Sequence, residues 1–276
     1  MMFTKRLLST VAWILFVYGV IYRMPLWGFR LVVTGLVGLG LYEFYSLAEK
    51  KGYRVGKFFA TGMGILIPLF AYRQPLTAET LAAYPFFTVL FFLLFFGYQF
   101  AKGENEGSLA GLSVAIAGVA YISVLFSFLI PLRMMAAHLV TYLLLVTKGG
   151  DIGAYLVGSV FGKRAMVPRV SPKKTVEGTV GGILMSILVS LVAFPFLLKD
   201  SLWIEMGAWT WVMVAGIGFT LSVVGVCGDL AESLIKRDCK TKDARKFIPG
   251  MGGILDVIDS LLFTTPLFYA MVRFVR

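Results

Sequence analysis

Ser233–Asp259 reads S-L-I-K-R-D-C-K-T-K-D-A-R-K-F-I-P-G-M-G-G-I-L-D-V-I-D and lies between two apolar runs, 207 to 232 and 254 to 275. Its twenty-seven positions hold six basic residues, four acids and a P-G-x-G-G turn, in a chain that is 58% hydrophobic. Apolar runs of this kind read as membrane-spanning helices, because about 20 apolar residues cross a hydrocarbon core. A charged insert between two such helices has no use facing lipid and belongs at a water boundary. Helical spacing places Asp256 and Asp259, three residues apart, on one face of the final helix. Upstream, Asp229 closes the preceding run in G-D-L-A-E-S, with Glu232 three residues on. A carboxylate at membrane depth costs roughly 2.5–3.5 kcal/mol on insertion scales, and it marks a site or an ion path.

Acids converging from two helices repel one another unless something cationic neutralises them. Oxygen-only ligands with no neighbouring His or Cys pair favour Mg²⁺ over zinc, so Asp229, Asp256 and Asp259 are the candidate metal ligands. Lys236, Arg237, Lys240, Lys242, Arg245 and Lys246 surround them, and the glycines of P-G-M-G-G at 249 to 253 supply unhindered backbone N–H groups. Cations and N–H groups beside a metal suit a polyphosphate. A positive-inside loop with structural ion pairs is the plainer reading of the Lys and Arg residues taken alone.

The rest of the chain fixes the class. With 276 residues, 24 Phe and a mean hydropathy of +0.84, it holds far too much apolar surface for a soluble domain. The expectation is an all-α, polytopic integral membrane protein. Apolar windows fall at 7–22, 28–47, 56–72, 84–101, 109–130, 135–161, 176–198, 207–232 and 254–275, which predicts about nine transmembrane helices. With the N-terminus placed in the cytoplasm, eighteen of the 26 Lys and Arg residues fall in inside loops and seven at outside ends. That bias fits the positive-inside rule and puts the polar loops on the cytoplasmic face of a multi-pass inner-membrane protein. The net charge of +11 is dispersed over short loops rather than drawn into a stripe, which speaks for lipid headgroups and a nucleotide as partners and against nucleic acid. Cys227 and Cys239 form neither a disulfide framework nor a zinc spacing and read as free thiols.

The unusual polar residues crowd into one half. Residues 1–134 read as nearly motif-free scaffold helices, and 135–276 as a catalytic region with polar loops at 147–178 and 229–259. In the second half, T-K-G-G-D-I-G-A-Y at 147–155 interrupts the sixth apolar window, and S-P-K-K-T-V-E-G follows at 171–178. Asp151 and Lys148 would be costly facing lipid, so they are expected to line a polar cavity. Ser171-Pro172 reads as a turn. Thr175 is placed to cap the seventh helix, leaving Lys173, Lys174 and the helix N-terminus directed at an anion, with Glu177 favouring the dipole in the first turn. Gly178 and Gly182 form a small-xxx-small face for close helix packing.

Two patterns carry a resemblance. S-x-x-K-R-x4-K-D-x5-P-G-x-G-G-x-x-D-x-x-D, formed by Ser233, Lys236, Arg237, Lys242, Asp243, Pro249, Gly250, Gly252, Gly253, Asp256 and Asp259, closely resembles the pattern of the phosphatidate cytidylyltransferases, integral membrane enzymes that make CDP-diacylglycerol. It departs from that pattern at Met251 and Val257, where the family usually carries His and Arg. The upstream stretch is similar to the family's D-x-x-A-Y-x-x-G-x-x-F-G-K and S-P-K-K-T-x-E-G through Asp151, Ala154, Tyr155, Gly158, Phe161, Gly162 and Lys163, and through Ser171, Pro172, Lys173, Lys174, Thr175, Glu177 and Gly178.

The resemblance implies that CTP and phosphatidic acid give CDP-diacylglycerol and pyrophosphate, in a homodimer that needs Mg²⁺. Within that reaction the residues themselves suggest catalytic roles for Asp229, Asp256 and Asp259, and for Lys236 and Arg237 on phosphate. Substrate contacts are expected from Asp151, Ser171, Lys173, Lys174, Thr175, Glu177, Ser233, Lys242, Asp243, Pro249, Gly250, Gly252 and Gly253. Two other classes share these features: a CTP-dependent lipid kinase, which would move the γ-phosphoryl group, and a transporter of phosphorylated substrates, which would more often show broken helices in matching halves.

Overall fold

A computed structural model of the chain describes residues 14–70, 78–102, 106–198, 208–241 and 253–275. Among these, the helices in chain order are α1 Ile14–Arg23, α2 Leu26–Lys50, α3 Lys57–Phe70, α4 Ala78–Lys102, α5 Ser108–Met135, α6 Ala137–Phe161, α7 Val176–Leu197, α8 Ala208–Asp238 and α9 Ile254–Val275. Each apolar window falls on one of them, the first only from residue 14 onward. Six helices, α2 and α5 to α9, are long and apolar enough to cross a membrane, whereas α1, α3 and the apolar part of α4 are shorter. The chain is a multi-pass, predominantly helical membrane protein. Helices satisfy every internal backbone group without water, which a lipid environment requires.

Hydrophobicity does not discriminate between helices surrounded by lipid tails, so close backbone approach and buried hydroxyls do the joining. The seam between α6 and α7 shows both. A methyl group added at Gly150 would lie 2.3 Å from Ser186 Oγ, one at Gly181 2.4 Å from Val157, and one at Gly178 2.9 Å from the carbonyl oxygen of Ala154. The expected small-residue face at Gly178 and Gly182 is therefore the α6 contact. Ser186 Oγ donates to the Val146 carbonyl at 3.1 Å, and Ser190 Oγ donates to the Val214 carbonyl on α8 at 2.6 Å while bonding the Tyr142 hydroxyl. These bonds stitch α6, α7 and α8 together below the polar end.

Two local expectations change. The 147–155 stretch does not interrupt its helix: α6 runs unbroken from Ala137 to Phe161, and Gly149 and Gly150 are spent on contact with α7 rather than on a bend. Ser171-Pro172 is not a turn but opens a strand. β1 Ala165–Val167 pairs antiparallel with β2 Ser171–Thr175, with Ala165 opposite Thr175 and Val167 opposite Ser171, and the turn falls on residues 168–170. Proline is tolerated there because a two-stranded ribbon consists only of edges. Thr175 does cap α7, accepting from the Gly178 N–H at 3.1 Å. Glu177 turns back to accept from the N–H groups of Lys163 and Arg164 at 3.1 and 3.2 Å, which fixes the chain where it leaves α6.

Ion pairs and caps gather the polar segments at one end of the bundle. Lys51, just past α2, pairs with Asp238 at the end of α8, and Arg237 Nε donates to the Val170 carbonyl in the hairpin turn at 3.2 Å. The hydrogen bond to the Asp238 carboxylate raises the pKa of the Lys51 ammonium above its ordinary value.

The α6–α7 seam leads to a contrast between two glycines. At Gly153 a new side chain meets Met185 Cβ at 2.4 Å and the Gly181 carbonyl at 2.9 Å, whereas at Gly216 nothing lies within 4 Å. Gly153→Val should lose about 1–3 kcal/mol of stability through overpacking. Gly216→Val should unfold close to wild type. Thermal unfolding in detergent reads the difference, and equal melting temperatures would contradict this account of the seam.

Candidate active site

The site is built where α8 and α9 touch. Gly228 sits so close to α9 that a methyl group on it would lie 2.4 Å from the Asp259 carbonyl oxygen. With the two backbones in contact, the carboxyl groups of Asp229 on α8 and Asp259 on α9 come within hydrogen-bonding reach of each other. Asp259 is only 5% exposed. Lys174, carried in by β2, forms an ion pair with Asp229. From α6, Lys148 Nζ donates to Asp151 Oδ2 at 3.0 Å and to Ser260 Oγ at 3.1 Å, and the Ser260 N–H donates to Asp259 Oδ1 at 2.6 Å. Three acids and two lysines from four elements thus gather here.

A cavity of about 420 Å³ opens beside this cluster between α6, α7 and α8. Asp151, Lys173, Lys174, Thr175 and Asp229 line it together with hydroxyls and glycines, so residues of the two upstream stretches share the cavity with Asp229 of α8. The expectation that Asp151 lines a polar cavity is met.

Asp256 goes elsewhere. It accepts from the Gly253 N–H at 2.9 Å and pairs with Lys236, which also pairs with Glu232. Lys236 is 7% exposed and acts as an internal counter-ion between two acids. The three aspartates expected to converge therefore divide, two at the α8–α9 contact and one a turn away at the start of α9. Among the described residues no group of three or more His, Cys, Asp or Glu side chains is gathered closely enough to hold an ion. The Asp229–Asp259 pair is the arrangement that would suit one, because two apposed carboxyls, one of them buried, repel unless a proton or a cation lies between them, and an all-oxygen donor set suits a hard divalent ion.

Residues 4–275 match the family model described as the cytidylyltransferase family. The chain belongs to the cytidylyltransferase family. A phosphatidate cytidylyltransferase of Chlamydia muridarum is 30% identical over 255 residues, covering 88% of this chain and 82% of that protein. One of Staphylococcus saprophyticus is 31% identical over 237 residues, 82% of this chain and 85% of that protein. The uncharacterized protein YnbB of Escherichia coli is 41% identical over 138 residues, which is half of this chain and 43% of YnbB, so the chain spans less than half the length of that relative.

In this cytidylyltransferase-family chain, one residue that matters to the site came with no motif. Glu43 lies in α2, is 1% exposed, and accepts from the Ile254 N–H at 3.0 Å and the Leu255 N–H at 2.8 Å with its two carboxylate oxygens. It caps α9 from another helix and sets where Asp256 and Asp259 start. Helix N-termini carry unpaired N–H groups and a partial positive charge, so a buried carboxylate is well suited to the position. The signal in the sequence was an acid inside the 28–47 apolar window. Arg237, expected to be catalytic, and Glu177, expected to contact substrate, are engaged with backbone in the hairpin segment, and Ser233 is half-buried on α8. Lys242, Asp243, Pro249, Gly250 and Gly252 lie outside the described residues. Cys227 and Cys239 are free thiols.

Removing the cap has a direct cost. Glu43→Ala leaves two buried N–H groups without an acceptor and should destabilise the protein by about 1–3 kcal/mol per orphaned group at most, with Glu43→Gln intermediate because one acceptor survives. Unfolding in detergent of the three proteins checks the order. Equal stability of all three would show that the cap carries no weight.

Proposed function

We propose that this chain is a phosphatidate cytidylyltransferase, transferring the cytidylyl group of CTP to phosphatidic acid to give CDP-diacylglycerol and pyrophosphate. The observation that carries the proposal is the Asp229–Asp259 pair beside a cavity lined by Lys173 and Lys174. Family membership supplies the nucleotide, and the names of the Chlamydia and Staphylococcus relatives supply the lipid acceptor.

In this reaction a phosphate oxygen of the lipid attacks the α-phosphorus of CTP, and the bond to the β-phosphate oxygen breaks to release pyrophosphate. The nucleophile is already an anion at neutral pH, so the protein needs no strong general base. Its task is to bring two polyanions together. Lys173 and Lys174 reach the cavity and offset phosphate charge, and the capped start of α7 adds its dipole. A divalent ion such as Mg²⁺, held by Asp229 and Asp259, would neutralise charge on the α-phosphoryl group and the leaving pyrophosphate. Asp256 stands one turn away, held by Lys236. Positioning and electrostatics then carry most of the rate.

The topology that goes with this reading has nine spans, an N-terminus in the cytoplasm and the polar end of the bundle at the inner face of the cytoplasmic membrane, where CTP is available. Acyl chains stay in the leaflet while the headgroup enters from the side. A homodimer is the assembly that the family resemblance implies.

CTP labelled at the α or the γ phosphorus tests the reaction. The α label should enter the lipid and the γ label should leave in pyrophosphate; a γ label in the lipid would make the chain a kinase instead. Asp229→Asn and Asp259→Asn should each lower turnover by about 10²-fold or more, the loss typical of a removed charge-stabilising group. Near wild-type turnover of either variant across a Mg²⁺ titration would overturn the assignment of the pair.

A further inference from the structure

Lys148 lies within the apolar span of α6, where an ammonium costs about as much as a carboxylate unless it is paired. Its bond to Asp151, three residues on, would be an ordinary helix-surface pair if it stood alone. It does not stand alone. The same Nζ reaches across to Ser260 Oγ on α9 at 3.1 Å, next in sequence to Asp259, and the ammonium interacts through space with both Asp229 and Asp259. The charged groups facing it are thus Asp151 on its own helix, Asp259 on α9 and Asp229 on α8, with Lys174 on Asp229 as well.

We propose that Lys148 is a built-in counter-cation of the Asp229–Asp259 pair, tethered by Asp151 and Ser260, and that it competes with the divalent cation those carboxylates bind. The proposal rests on the reading of that pair as the metal site. A fixed positive charge beside two carboxylates weakens the hold of a second cation at the same place, by an amount that falls with distance and screening. It does not weaken the hold on a cation that arrives with an anionic partner, because the partner's phosphates draw the ammonium toward themselves. The two ligands are thereby coupled, each raising the affinity for the other. Lys148 biases the site toward taking its ion together with a nucleoside triphosphate rather than alone.

The full chain in detergent, titrated with Mn²⁺ and followed by the spin resonance of the free ion, tests this without any turnover. Lys148→Gln should bind Mn²⁺ about tenfold tighter than wild type, and Lys148→Arg, which keeps the charge, should stay close to wild type. Ser260→Ala frees the ammonium from its α9 tether and should tighten binding by a smaller factor, which serves if Lys148→Gln does not fold. Adding CTP should tighten Mn²⁺ binding more in wild type than in Lys148→Gln. If Asp259→Asn abolishes binding but Lys148→Gln and Ser260→Ala bind no tighter than wild type, the counter-cation proposal is wrong and the metal reading stands. If Asp259→Asn leaves Mn²⁺ binding unchanged, the metal reading falls and takes this proposal with it.

Discussion

Two carboxylates on neighbouring helices stay apposed only if the backbones that carry them cannot drift apart, and here that closeness is set by contact between Gly228 on α8 and the main chain at Asp259 on α9. The polar cluster is built around this contact. It places Asp229 against Asp259, and the repulsion it creates explains why lysines arrive from two further elements, Lys174 from the hairpin and Lys148 from α6. A larger residue at 228 would meet backbone rather than a side-chain tip, so neither helix has a low-cost way to yield. The polar cluster depends on a steric fact.

The remaining architecture serves to deliver those lysines. The glycine seam lets α6 and α7 lie close enough for the short hairpin between them to fold back over the end of α8, and Glu177 fastens that hairpin at its base and Arg237 at its turn. Residues that the motifs suggested for catalysis or substrate contact thus differ in what they touch. Lys173 and Lys174 face the cavity, while Glu177 and Arg237 hold the frame on which the two lysines are presented. A short peptide pattern mixes contacts with supports because both must be kept in register.

Much of this was legible in the sequence because lipid makes polarity conspicuous. The apolar windows located the helices, the Thr175 cap was readable from its position before Glu177, and acids in or beside apolar runs singled out Asp229, Asp256 and Asp259, of which the structure brings the first and last together. What escaped the sequence depends on side-chain direction and on distant pairing. Three-residue spacing put Asp256 and Asp259 on a common face, yet Asp256 lies within the first turn and is drawn to Gly253 and Lys236, while Asp259 is turned toward Asp229. The glycine pair at 149 and 150 looked like a helix break, and the close approach of α7 makes it a packing surface. Glu43 was visible as an acid in an apolar run, but its partners lie 211 and 212 residues away and no local rule reaches them.

The cap from Glu43 also revises how the two halves of the chain relate. Composition separates a plain first half from a chemically rich second half at about residue 134, which suggests an engine bolted to a passive mount. The carboxylate of α2 crosses that boundary and closes the first turn of the helix bearing Asp256 and Asp259. A residue of the plain half thus holds the first turn of the helix that carries both acids, and the mount is part of what aligns them.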